Sequence, residues 1–90
     1  MARSSSDESK TTESREITQR FIDVMYQLIG MRKIKSKRQF GEVVGIPSNN
    51  IYRMETEQSM NVPLYALKRA VEAYNINLYY VITGKGQVFL

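Results

Sequence analysis

Five cations fall within one short run of this chain, Arg32, Lys33, Lys35, Lys37 and Arg38. Further along, Ser48, Asn49, Tyr52 and Arg53 recur at a spacing that puts them on one side of a helix, with Thr56 continuing that side. The first group can hold phosphate oxygens as point charges. The second offers hydroxyl, amide, phenol and guanidinium groups, the donors and acceptors that read polar edges such as those of nucleobases. A basic run beside a folded element can serve as a phosphate-contacting patch. It is also what a solvated helix end looks like, where Lys and Arg complement the C-terminal dipole. Charge alone leaves both readings open.

The chain has no His and no Cys among its 90 residues. Without His it lacks the usual general base and the commonest metal ligand. Without Cys it has no disulfide framework, no thiolate zinc site and no thiol nucleophile. No catalytic group, metal or cofactor is therefore expected, and the chain reads as a non-enzyme. The net charge of +4 is small, but it is unevenly placed. Residues 1–16 hold three cations against four carboxylates, 17–45 hold six against two, and 46–90 hold four against three. The excess sits in the middle segment, mostly at the basic run.

These groups need elements to position them, and at this length one domain is the limit. Residues 1–13 contain no Val, Ile, Leu or aromatic residue and are expected to form a flexible polar tail, with the domain occupying 14–90. Ile17, Phe21, Val24, Met25, Leu28 and Ile29 form one apolar stripe at helical spacing, which predicts helix one over roughly 14–32. Ser36 and Gln39 fit a capping box that opens helix two, with Phe40, Val43 and Val44 inward and Gly45 as its left-handed stop. Ile46 and Pro47 lead into helix three, about Ser48–Glu57, with Ile51 and Met54 inward. Asn61 is the expected cap of helix four, whose stripe is Leu64, Leu67, Val71 and Tyr74. Asn77 caps a last helix with Leu78, Val81 and Ile82 inward. An all-α, five-helix domain follows, with two short helices around a Gly-containing turn, the helix-turn-helix arrangement. The longest unbroken apolar run, Leu78–Ile82, is far short of the ~20 residues that span a bilayer. With a polar start and no Cys, the expected location is cytoplasmic, with no membrane contact.

The stretch from Ser36 to Ile82 resembles the lambda-repressor-like, or xenobiotic-response-element type, helix-turn-helix domain. The resemblance rests on Ser36-Lys37 opening helix two, Phe40-Gly41 in the usual Leu-Ala place, Gly45-Ile46, then Ile51 and Glu55. Beyond these, Leu64, Leu67, Tyr74, Ile76 and Leu78 match the distal helices. It implies a compact five-helix domain that binds double-stranded operator DNA as a homodimer, commonly as a repressor, with helix three in the major groove. Ser48, Asn49, Tyr52 and Arg53 stand in the positions that resemble the base-reading set. Ser36, Lys37, Arg38 and Thr56 are the candidates for phosphate. Glu55 is expected to pair with a cation or with backbone. Three positions depart from the pattern: Lys37 where Gln is frequent, Pro47 where a Ser cap is frequent, and Glu57 where Gly is frequent. Tyr79, Tyr80, Val88, Phe89 and Leu90 are the apolar surplus from which a dimer contact could be made, or which could simply close the core. The alternative to a transcriptional regulator is a protein-interaction module, such as the antitoxin of a toxin–antitoxin pair, with a protein partner in place of DNA.

Overall fold

The computed structural model describes residues 3–90, with side chains from Ser9 onward. Among these, the chain forms five helices and no strand: α1 (Arg3–Gly30), α2 (Lys37–Val44), α3 (Ser48–Thr56), α4 (Leu64–Tyr74) and α5 (Leu78–Thr83). The polar segment therefore enters a helix at Arg3, and the expected boundary at 14 falls inside α1; Met1 and Ala2 lie outside the described residues. No Gly or Pro interrupts the sequence from Arg3 to Ile29. Once Phe21, Val24, Met25 and Leu28 fix the helix against the core, adding further turns is cheap. The side chains of Ser9 to Glu13 are all exposed, so these turns of α1 bury no side chain.

α1 ends at Gly30, two residues before the expected end near 32 and one past the last residue of the apolar stripe. Arg32 takes a left-handed conformation (φ 61°), and the amide of Lys33 turns back to the Leu28 carbonyl at 2.9 Å. Arg32, Lys33 and Lys35 thus lie on a connection rather than a helix end, while Lys37 and Arg38 open α2. Ile34, in the middle of that connection, is buried and pins it to the core.

α2 opens at Ser36, whose Oγ accepts from the Gln39 amide at 3.2 Å. The return bond differs from the expected box: the Gln39 side chain accepts from the amide of Lys35 at 2.6 Å, one residue before the cap. Gly45 ends the helix at φ 84°, and its amide and that of Ile46 both donate to the Gly41 carbonyl. A Cβ on Gly41 would sit 2.3 Å from the Ile46 carbonyl oxygen and 3.0 Å from Ile51 Cδ1. Only glycine lets the turn fold back that closely, which explains its presence mid-helix.

The core is built around Phe40. Its ring lies 5.3 Å from that of Phe21 on α1 and stacks at 5.7 Å on Tyr74 of α4. Ile46, Ile51 and Met54 are buried, as their spacing predicts. α4 presents Ala66, Leu67 and Ala70 inward, and it makes its most extensive packing with α2. Four residues expected inside are instead on the surface: Val43, Leu64, Leu78 and Ile82. The two alanines explain the rotation of α4, because small side chains let the α2 backbone approach closely. Asn61 is not the cap of α4. Pro63 holds that position with no side-chain bond, while Asn61 Oδ1 accepts from the buried Thr18 hydroxyl at 3.2 Å. Asn77 does cap α5, through the Tyr79 amide at 3.2 Å. The chain then returns: Ile76 and Phe89 form an antiparallel bridge, and Val88 and Phe89 pack on the core.

Candidate nucleic-acid interface

α2 and α3 are joined by Gly45, Ile46 and Pro47 alone. Pro47 serves as the N-terminal boundary of α3, and its carbonyl accepts from the amides of Asn50 and Ile51. With no side-chain cap, the amides of Ser48 and Asn49 remain directed outward at the end of the helix. Ser48, Asn49, Tyr52 and Arg53 are all exposed, and Thr56 is exposed with its hydroxyl turned back to the Tyr52 carbonyl at 3.1 Å. The structure therefore brings the four polar side chains singled out on this helix to one solvent-facing side. A shallow depression of ≈ 490 Å³ between α2 and the start of α3 is lined by Arg38, Glu42, Ser48 and Asn49 among others. Arg38 thus borders the same surface as the first residues of α3.

Lys37 projects from the first turn of α2 across to α3. Its Nζ donates to Glu55 Oε2 at 2.8 Å and lies 5.1 Å from the centre of the Tyr26 ring on α1. The Tyr26 hydroxyl donates to the other carboxylate oxygen, Glu55 Oε1. Three helices meet at this cluster. The Glu55 side chain is 19% exposed and that of Lys37 39%, so the carboxylate is the covered member and the ammonium the open one. Burial pushes the Glu55 carboxyl up, but the hydrogen bonds from Lys37 and Tyr26 outweigh it and leave it below the usual carboxylate value. The same bond to Glu55 raises Lys37 above its ordinary value. Pairing of Glu55 with a cation agrees with its sequence reading; Tyr26 had no signal, since it lies off the apolar stripe.

Arg53 makes a second pair, with Glu57, the residue that caps the C-terminus of α3. Its Nε and Nη2 donate to the two carboxylate oxygens of Glu57 at 2.8 and 3.3 Å, and both side chains stay nearly half exposed. The bond to Arg53 lowers the Glu57 carboxyl, and the same contact raises Arg53. Arg38 is looser, 3.8 Å from Glu42 with both partners largely in solvent. Ser36, named for phosphate, spends its oxygen on the Gln39 amide and keeps its hydroxyl proton free to donate. Among the described residues, no carboxylate pairs with Arg32, Lys33 or Lys35, all exposed.

Two arginines that the charge count includes are committed elsewhere. Arg15 donates to the carbonyls of Met54, Glu57 and Met60 at 3.0–3.1 Å, closing the C-terminus of α3 and the loop after it. Arg20 donates to the carbonyls of Val81 and Ile82 at 2.7 and 2.9 Å, doing the same for α5. Nothing in their spacing distinguishes them from solvated cations. No group of three or more acidic or metal-ligating side chains occurs among the described residues, and none of their helices is long and apolar enough to cross a membrane. Comparisons with protein-family models, with curated proteins and with solved structures each find no match.

Proposed function

We propose that this chain is a sequence-specific double-stranded DNA-binding regulator of transcription, acting as a repressor in the cytoplasm and without enzymatic activity. The observation that carries the reading is the exposed row Ser48, Asn49, Tyr52 and Arg53 on a short helix entered by a three-residue turn, with the Lys37 ammonium beside it. A major groove admits one helix, and amide and guanidinium groups match adenine and guanine edges. Asn49 is assigned to an adenine, Arg53 to a guanine or phosphate, and Tyr52 to a thymine methyl or phosphate. Arg38, Ser36, Thr56 and the unpaired cations of the basic run are assigned to the phosphates.

One short helix supplies limited specific affinity, so we assign the protein a homodimer on two half-sites about 34 Å apart. Of the apolar surplus at the C-terminal end, Tyr80, Val88 and Phe89 pack on the core, one of the two roles open to it, while Tyr79 and Leu90 stay exposed. Leu64, Leu78 and Ile82 instead surround an apolar groove of ≈ 290 Å³ on α4 and α5, flanked by the exposed pair Lys68 and Glu72. Opposite charges one turn apart suit a twofold contact, in which each Lys68 can meet the other copy's Glu72. Ile82→Glu is expected to yield a monomer in sedimentation velocity; an unchanged dimer removes this surface.

Selection from a random duplex library, followed by titration at two salt concentrations, tests the main reading. An enriched sequence is expected, with a salt slope of about −0.9 per phosphate neutralised. Micromolar or weaker binding with no enriched sequence overturns it. Arg53→Ala should relax preference at one base position, and Arg38→Ala should weaken all duplexes alike.

A further inference from the structure

Lys37 beside the reading row and Arg53 within it are each held by a carboxylate, Glu55 of α3 and Glu57 just past its end, but in different ways. Lys37 and Glu55 are tied to Tyr26 and span three helices. Arg53 and Glu57 touch only each other through their side chains, one turn apart and in solvent. The Glu57 backbone is nevertheless fixed at both ends. Its amide donates to the Arg53 carbonyl at 2.7 Å, and its own carbonyl accepts from Arg15 at 3.1 Å. The carboxylate is thus kept within reach of Arg53 at the end of the helix, while the pair remains open to exchange.

Exchange favours some ligands over others. An exposed ion pair is weak and screened by salt, so a well-placed acceptor can take the guanidinium. A guanine edge is neutral and offers two acceptors in the geometry of the guanidinium fork. A phosphate is anionic, and the Glu57 charge repels it as it approaches Arg53. We propose that Glu57 is a specificity-determining residue of the DNA interface, holding Arg53 in the free protein and releasing it to a matching base edge more readily than to phosphate. The inference rests on the DNA-binding reading, and the repulsive charge is the device that lowers affinity for the wrong ligand.

The test uses the full chain, the selected duplex and a scrambled duplex of equal length, titrated at two salt concentrations. Glu57→Gln is expected to tighten the scrambled duplex about two- to fivefold, the range an exposed ion pair supplies. Its salt slope should steepen by up to about 0.9, the value of one further phosphate contact. The selected duplex should change less, so the ratio of the two affinities falls. Glu57→Asp, which keeps the charge, should keep the scrambled duplex weak. In an Arg53→Ala background, Glu57→Gln should give no such gain, since no guanidinium remains to be released. Equal gains on both duplexes, or a gain that survives Arg53→Ala, overturn the inference by reducing Glu57 to a general repulsive charge. Failure of the DNA-binding reading is distinct: neither the native chain nor Glu57→Gln then selects any sequence, and the inference falls with it.

Discussion

The arginines of α1 and the cations of the basic run share a charge and little else. Arg15 and Arg20 reach over partly covered surface to carbonyls at the ends of α3 and α5 and in the loop after α3, making five hydrogen bonds at 2.7–3.1 Å. Arg32, Lys33 and Lys35 lie exposed on a connection held down by Ile34 and pair with no carboxylate among the described residues. One region uses positive charge to hold the fold; the other leaves it in solvent. A count of charges by segment merges the two, because Arg20 belongs to the same six-against-two stretch as the basic run.

The sharpest way to break that contrast is to remove the charge from each region in turn. Arg15→Met keeps an aliphatic stem and removes three hydrogen bonds, leaving the Glu57 carbonyl only the Met60 amide at 3.2 Å. Charge-assisted bonds of this kind are worth about 1.5–3 kcal/mol each, and the exposed carbonyls regain water. A loss of about 2–4 kcal/mol in urea unfolding is expected, with Arg20→Met losing less because it serves two carbonyls rather than three. A stability change under about 0.5 kcal/mol for Arg15→Met would place α3's end closure elsewhere.

The complementary change is Lys33→Gln with Lys35→Gln. Substitutions at exposed positions with no partner leave stability within about 0.5 kcal/mol. DNA binding should weaken on every sequence, and the salt slope should flatten by up to about 1.8 if each lysine neutralises one phosphate. Unchanged binding would return these cations to the status of solvated loop charges. A marked loss of stability would erase the contrast with Arg15.

How much of this was readable in the sequence follows from the same division. The five helices, the Ser36 cap, the Gly45 stop and the burial of Ile51 and Met54 depend on local spacing and local caps, which a sequence displays. The polar row on α3 was legible for the same reason. The partners were not. Arg15 meets Glu57 across 42 positions, and Tyr26 meets Glu55 across 29. No local pattern encodes those meetings. The α4 face was misjudged through a bias toward large apolar residues: Ala66 and Ala70 are buried while Leu64 is 82% exposed. Gly41 was the informative exception. It costs about 1 kcal/mol against Ala in a helix, and what requires it is the Ile46 carbonyl of the turn that follows.

The smallest effect belongs to the cluster that lies between the two regions in character, Lys37 with Glu55 and Tyr26. Glu55 is partly covered, as the structural arginines are, yet its cation remains open to solvent, as Arg32, Lys33 and Lys35 do. Its carboxyl lies below the ordinary value of 4.5 in the folded protein. A group depressed on folding stabilises the protein above its unfolded value, and that contribution disappears as the pH falls through the folded value. Glu55→Gln should therefore cost a few tenths to about 1 kcal/mol at pH 7, in the range of exposed pairs, and nothing once both states are protonated. Unfolding curves for the two proteins should separate above the ordinary value of 4.5 and converge as the pH falls below it through the depressed folded-state value. The same variant leaves Lys37 unneutralised, so DNA binding should tighten while stability falls. Opposite signs in the two measurements would set Lys37 apart from Arg15, whose removal costs stability first. Parallel losses would make the cluster one more helix tie and move the boundary between the regions to the outer face of α2.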